Sequence, residues 1–175
     1  ELDESHVLKN PLRQFEVWMK HAIDSAVNEP NAMTLATVDR KGDPDARVVL
    51  LRGIDKRGFV FYTNYNSRKG KALRSKKKAC LNFFWPELQR QVRIKGVVEK
   101  VSDKASDDYF RSRPRESQIG AWASVQSEVM EDRRVLEQRF VEFERKFAGR
   151  DVPRPSNWGG FRLIPVHVEF WQGRP

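Results

Sequence analysis

Between Arg47 and Lys78 the chain carries eleven basic residues against a single acid, Asp55. Arg47 and Arg52 bracket the apolar run Val48, Val49, Leu50 and Leu51; Lys56 and Arg57 occupy a turn; Arg68 and Lys69 follow Ser67, where a short helix can open. A guanidinium grips a phosphate as a bidentate fork and a lysine acts as a point charge. The free N–H groups at a helix start favour the same anion. Cations placed at strand ends and at a helix start therefore suit a phosphorylated ligand, although composition alone is equally served by a solvated basic surface beside a hairpin.

Other polar residues suggest further contacts. Tyr62 and Thr63 end a strand, where a backbone group and a hydroxyl can bond a ring edge or a phosphate. Gln91 is a neutral amide in the alternating run Gln91, Arg93, Lys95 against Val92, Ile94, a setting suited to an uncharged heterocycle. Tyr109, Arg113 and Ser117 gather at the end of an expected helix, and Pro114 favours an extended Arg113. On its residues alone this set reads first as a helix-terminating loop, and second as a compact monophosphate cradle. Gln126 and Ser127 read as a polar loop, and Trp171 as either core or site. His6, His21 and His167 are scattered without metal-ligand spacing, and neither a nucleophile motif nor a Gly-rich phosphate loop is present.

Short strands and a few helices must position these residues. Asn10 followed by Pro11 is a helix opening, and Leu12, Phe15, Met19, Ala22, Ile23 and Ala26 recur at helical spacing. Strands are expected at Met33–Val38, Ala46–Ile54, Phe59–Asn64, Ala79–Trp85, Arg90–Val101 and Phe161–Trp171, joined by short links marked by Gly, Asp or Pro. Ser102 can cap a helix running to Arg111, and Asp132–Phe147 carries Val135, Leu136, Phe140, Phe143 and Phe147 on a helical period. Six short strands with hairpin-length connections predict a mainly β, antiparallel closed sheet with peripheral helices.

The same residues carry a family resemblance. Arg47-Val48-Val49-Leu50-Leu51-Arg52, then Phe61-Tyr62-Thr63-Asn64 and Ser67-Arg68-Lys69, resemble the flavin-binding core of the pyridoxamine 5′-phosphate oxidases. Gln89–Arg93, Tyr109–Pro114, Ser117–Ala121, Gln126-Ser127, Trp158-Gly159-Gly160 and Phe170–Gly173 follow in that family's order, so the likeness runs from about Asn10 to Gly173. It implies an FMN-binding split β-barrel that pairs as a homodimer with the flavin at the interface. It places Arg47 through Arg52, Tyr62, Thr63, Arg68, Lys69, Gln91, Gln126, Ser127 and Trp171 on the flavin. Arg52, Tyr109, Arg113 and Ser117 fall on the substrate, pyridoxine 5′-phosphate or pyridoxamine 5′-phosphate. The implied reaction passes a hydride equivalent from substrate C4′ to the flavin, which oxygen reoxidises, giving pyridoxal 5′-phosphate and hydrogen peroxide. Two departures stand out. Arg52 replaces the family's usual Lys, keeping the charge without the compact ammonium. The family's Arg-Leu-His-Asp-Arg stretch after the final motif is missing, which leaves no catalytic residue to name and an expectation that the sequence is a trimmed piece.

Bulk properties bound these readings. At 175 residues the chain suits one domain, long enough to bury roughly two-thirds of its unfolded surface, with residues 1–9 as an extended N-terminal segment. No apolar run approaches the ~20 residues of a membrane span, and no signal peptide is evident. The lone Cys80 excludes an internal disulfide and is expected to be buried and reduced, in keeping with a cytoplasmic protein. A net charge of +9 invites a nucleic-acid-binding barrel. That reading ranks second, because the cations sit within ordered elements and form neither a tail nor a helix stripe. A flavin-binding split barrel without oxidase activity is the other rival, sharing the Arg47–Lys69 signals but needing no Tyr109, Arg113 and Ser117 set.

Overall fold

The structure, a computed structural model, describes residues 2, 3, 5 and 7–173. The chain packs as two compact units, one of Glu1–Phe61, Ala72–Glu99 and Arg162–Pro175, the other of Tyr62–Lys71 and Lys100–Phe161. Helix α1 spans Pro11–Asp24, opened by the Asn10 side chain accepting from the Leu12 and Arg13 N–H groups. Its buried face is Gln14, Phe15, Trp18 and Ala22. The expected stripe is thus shifted: Ile23 is exposed, and Ala26 lies beyond the helix with a left-handed φ of 52°.

Among the described residues seven strands follow: β1 (Ala32–Val38), β2 (Pro44–Leu50), β3 (Gly53–Asp55), β4 (Gly58–Asn64), β5 (Lys78–Trp85), β6 (Arg90–Lys100) and β7 (Trp158–Gln172). They form one antiparallel sheet in the order β2-β1-β5-β6-β7-β4-β3. The single strand expected over Ala46–Ile54 is therefore two, broken at Leu51 and Arg52, and its halves pair at opposite edges of the sheet. Flat, those edges would stand roughly 29 Å apart at ordinary strand spacing, whereas the chain from Leu50 to Gly53 reaches only about 10 Å. The sheet must curl. Leu51 N–H donates to Asn31 O beside β1 at 2.9 Å, and Arg52 N–H donates to Val60 O on β4 at 2.8 Å. Consecutive residues thus bond toward opposite sides of the sheet, one beside β1 and the next to β4, which gives the split-barrel architecture expected from the sequence.

Alternation sorts the side chains of this sheet. Arg47, Leu35, Leu81 and Ile94 form one cross-strand row on the inner face, and the last three are fully buried. Val48, Thr34, Asn82 and Arg93 form the neighbouring outward row. Inside, Phe15 meets Phe59 and Phe83 edge to face at 5.0 and 4.8 Å, the favoured aromatic geometry. Cys80, expected to be buried, is free and half-buried. It lies on the outward face, paired with Lys95.

In the second unit, α3 (Asp103–Ser112) is capped by Ser102, whose hydroxyl accepts from Ala105 N–H, and α5 (Arg133–Lys146) by Asp132. Between them α4 (Arg115–Ala123) is a helix that the sequence pattern does not announce. Gly120 interrupts its periodicity, and Pro114 before it offers no side-chain cap. Phe110, Ile119, Phe147, Val152 and Trp158 form this unit's core, with Phe140 and Phe143 packed against it. Among the described residues no helix is long and apolar enough to cross a membrane. Helix α2 (Arg68–Lys76) opens where Ser67 predicts, the Ser67 hydroxyl accepting from Gly70 N–H at 3.2 Å.

Two predictions test this packing. A Cβ at Gly96 would stand 2.1 Å from Ile164 O, a backbone collision that no rotamer relieves. Gly96→Ala should lower Tm by roughly 2–12 °C, the effect of about 1–3 kcal/mol of overpacking, measured by calorimetry. The second concerns Arg162, which binds Asp55 through Nε and Nη2 and Glu99 through Nη1 at 2.8 Å. Burial raises the Asp55 carboxyl, but bonds from Arg162 and from the Arg57 and Gly58 N–H groups outweigh it and hold it below the ordinary range. A carboxyl with a depressed folded pKa stabilises above its unfolded value of about 3.9, and that contribution fades as pH falls through the folded value. The Tm deficit of Arg162→Met should therefore be full at neutral pH and narrow in acid below about pH 4. A deficit independent of pH would count against this assignment.

Candidate functional site

In the second unit, strand β4 carries Tyr62 and Thr63 just before its final residue Asn64, α2 begins with Arg68 and Lys69, and the loop after α4 carries Gln126 and Ser127. Three of these side chains meet. Gln126 Oε1 accepts from Lys69 Nζ at 3.1 Å and from Thr63 Oγ1 at 3.3 Å. Thr63 is buried and Gln126 exposed, so the amide lies over the strand end from the solvent side. Ser127 takes a left-handed φ of 70° in the same loop, and Arg68 is exposed on the first turn of α2. A cation, a hydroxyl, an amide and the opening of a helix together form a donor set that fits a phosphate monoester.

The Tyr109, Arg113 and Ser117 set also lies in this unit. Arg113 terminates α3 in extended conformation (φ −75°, ψ 149°), as its place before Pro114 predicts. Ser117 sits in the first turn of α4, so the two helices are joined only by Arg113 and Pro114. The Tyr109 and Tyr62 rings stack at 4.0 Å with planes 17° apart. Tyr62 also stacks on Trp158 at 5.5 Å, and the Arg113 guanidinium carbon lies 4.7 Å from the Trp158 ring centroid. Thus Tyr62, expected beside the flavin, and Tyr109, expected beside the substrate, belong to one aromatic stack. Tyr65, next along from this strand end, is buried; burial pushes its phenol above the ordinary range despite a hydrogen bond with Ser106.

Two residues have parts in this arrangement that the sequence alone does not reveal: Trp158 beneath Arg113, and Gln118, whose amide bonds the end of α3. A signal for the first existed in the glycines after it. A Cβ at Gly159 would stand 2.2 Å from the Tyr65 hydroxyl, and one at Gly160 would stand 2.8 Å from a Tyr62 ring carbon. The pair marks close approach of this strand to the tyrosines.

The first unit holds Arg47–Arg52, Gln91 and Trp171. Arg47 is half-buried on the inner face, where its Nη1 donates to Leu35 O at 3.0 Å and to Thr37 Oγ1 at 2.7 Å, and it pairs with Asp45. Its neighbours Val48 and Leu50 point outward and Val49 inward, while Leu51 is buried in the link. Arg52 is exposed in that link. Gln91 faces outward opposite Phe84, and Arg93 two residues on donates to both oxygens of Glu169 at 2.8 and 2.6 Å. Those bonds hold the Glu169 carboxyl below its ordinary range. Trp171 is 50% exposed, which excludes a core role. Among the described residues no group of three or more His, Cys, Asp or Glu side chains could hold a metal ion.

Comparison with known proteins follows the same pattern. Residues 19–147 match the family model described as pyridoxamine 5′-phosphate oxidase, and residues 158–175 match the pyridoxine 5′-phosphate oxidase C-terminal dimerisation region. The chain is 56% identical over 173 residues to a pyridoxine/pyridoxamine 5′-phosphate oxidase of Trichormus variabilis, covering 99% of this chain and 81% of that one. It is equally similar to the protein of that name from Burkholderia mallei, at 56% over 174 residues with the same shares covered. Among solved structures, PhzG from Burkholderia lata, in complex with tetrahydrophenazine-1-carboxylic acid, superposes with a TM-score of 0.92 at 30% identity, over 98% of this chain and 85% of that one. A pyridoxamine 5′-phosphate oxidase-related, FMN-binding protein of Nostoc punctiforme gives a TM-score of 0.73 at 19% identity, over 94% and 86%, a likeness of fold. Motifs in register, a curled seven-stranded sheet and identity over nearly the full length agree: the chain belongs to the pyridoxamine 5′-phosphate oxidase family.

Proposed function

We propose that this protein is an FMN-dependent oxidase that converts pyridoxine 5′-phosphate or pyridoxamine 5′-phosphate to pyridoxal 5′-phosphate. The observation that carries this reading is the presence in one unit of two donor sets that share no residue. Lys69, Thr63 and Gln126 form one; Arg113, held over Trp158 beside Tyr109, forms the other. A flavoenzyme of this kind must hold two phosphates, one on its cofactor and one on its substrate. When bound, FMN supplies a two-electron acceptor that oxygen can regenerate, which leaves orientation and electrostatics to the protein. Overall, the substrate's C4′ alcohol is oxidised to the aldehyde while oxygen is reduced to hydrogen peroxide; the amine also consumes water and releases ammonia.

In this reading Arg68 and Lys69 hold the FMN phosphate, assisted by Thr63, and Gln126 and Ser127 close over it. Arg47–Arg52, Gln91 and Trp171 serve the remainder of the flavin. Arg113, Tyr109 and Ser117 hold the substrate phosphate, and the family resemblance assigns Arg52 to flavin and substrate. The names of the relatives support the substrate class, and the chemistry of the donors supports the residue assignment. A homodimer with FMN at its interface is part of the same proposal. It is supported by the matched dimerisation region and by the exposed apolar side chains Val48 and Phe84 on the outward sheet face. So is a cytoplasmic setting, in keeping with the free Cys80. The likeness to PhzG favours a second reading, in which the substrate is an unphosphorylated ring acid.

The phosphate assignments are tested by two measurements. Charge-assisted hydrogen bonds contribute about 1.5–3 kcal/mol each, so a flavin lacking two of them should bind roughly two to four decades more weakly. Titration should therefore show FMN binding far tighter than riboflavin, and equal affinities would exclude the Lys69 set as a phosphate site. Replacing Arg113 with Ala should raise KM for pyridoxine 5′-phosphate about 10- to 100-fold with flavin content unchanged, as expected for uniform binding lost from ground and transition states. A colourless Arg113→Ala protein would assign this arginine to the flavin or to the fold. An unchanged KM would promote the unphosphorylated substrate.

A further inference from the structure

Arg113 ends a helix, precedes a proline and carries a long, rotamer-rich side chain, so a defined phosphate position requires that something else fix it. Two side chains of the same unit meet that need from different directions. Gln118 is 9% exposed, and its Nε2 donates to Phe110 O at 3.1 Å, Arg111 O at 3.2 Å and Arg113 O at 3.0 Å. The last carbonyls of a helix lack intrahelical partners, and here one amide on α4 serves the end of α3. Because only Arg113 and Pro114 join the two helices, this bonding fixes the Arg113 backbone relative to Ser117, the residue beside Gln118. Trp158 acts on the other end of the arginine. Its ring is 8% exposed, parallel to Tyr109 within 6° and to Tyr62 within 11°, and met edge-on by Phe110 at 5.1 Å. Packed on these sides it cannot turn, so it offers the Arg113 guanidinium an immobile face at 4.7 Å. A planar guanidinium over an indole is the favourable cation–π arrangement.

We propose that Gln118 and Trp158 are positioning residues for Arg113, the first fixing its backbone and the second its guanidinium, and that together they set the affinity for the substrate's phosphate. The inference rests on the reading of Arg113 as the phosphate ligand. It predicts that both residues act through Arg113 and through nothing else in the reaction.

A double-mutant cycle on the FMN-loaded protein tests this. Gln118→Met keeps the side-chain length but removes the donor, and Trp158→Phe keeps an aromatic face with a weaker quadrupole. Each should raise KM for pyridoxine 5′-phosphate about three- to tenfold, with kcat within about twofold and flavin content unchanged. In an Arg113→Ala background the same substitutions should change KM by less than about twofold, since residues coupled through one partner lose their effect when it is removed. Should Gln118→Met fail to fold, the Trp158→Phe cycle decides alone. Equal fold-changes in both backgrounds would overturn the proposal by making the two residues general scaffold, as would unchanged KM values in the native background. If Arg113→Ala alone leaves KM unmoved, the phosphate reading falls and this proposal with it. If Arg113→Ala raises KM and the cycle shows no coupling, only this proposal falls.

Discussion

Leu51 and Arg52 alone separate two strands that lie at opposite edges of the sheet, and the rest of the first unit follows from that short link. A seven-stranded sheet joined across its edges by two residues cannot lie flat. Curling brings one face inward, where Leu35, Leu81 and Ile94 are fully buried, and leaves the alternate residues outward. The burial of those rows stabilises the curl, at about 25 cal/mol for each Å² of apolar surface removed from water. Close approach of β7 beside β6 then requires Gly96, where a Cβ would stand 2.1 Å from Ile164 O. The Arg162 network holds the turn after β3 to the neighbouring strands.

The same link explains why the basic residues near it are specific in place. Arg47 enters the inner row at the sheet's edge, where it bonds a backbone carbonyl and Thr37, and Arg52 stands exposed in the link itself. Charge that composition presents as a diffuse +9 is thus distributed by alternation and helix starts into individual positions. In the second unit the organising contact is aromatic. Tyr62, Tyr109 and Trp158 lie nearly parallel, and the cation of Arg113 rests on that stack, so a rigid apolar surface orients a polar recognition group.

Much of this was legible in the sequence. Period-two alternation around Gln91–Lys95 and the turn after Asp55 placed strands correctly, Asn10-Pro11 and Ser102 marked helix starts, and Ser67 marked the opening of α2. Motif order carried the family. What escaped did so for physical reasons. The break at Leu51-Arg52 has no turn chemistry, because the chain there remains extended and merely changes partners, which local pattern cannot register. Helix α4 lacked a capping side chain and a clean apolar period. The tilt of α1 toward Trp18 in place of Ile23 reflects tertiary packing, since Trp18 meets Phe170 edge-on at 5.2 Å. Gln118 and Trp158 were visible only as motif letters, because their significance lies in three carbonyls and one guanidinium that folding brings to them.

In the proposed function this chain oxidises a phosphorylated pyridoxine or pyridoxamine through a bound flavin. The most direct measurement is the absorbance of the FMN-loaded protein mixed with pyridoxine 5′-phosphate in the absence of oxygen. The expected result is loss of the yellow flavin band on mixing, its return on admitting air, and one hydrogen peroxide formed per aldehyde produced. A protein that holds FMN yet keeps its spectrum unchanged with both pyridoxine 5′-phosphate and pyridoxamine 5′-phosphate would contradict it.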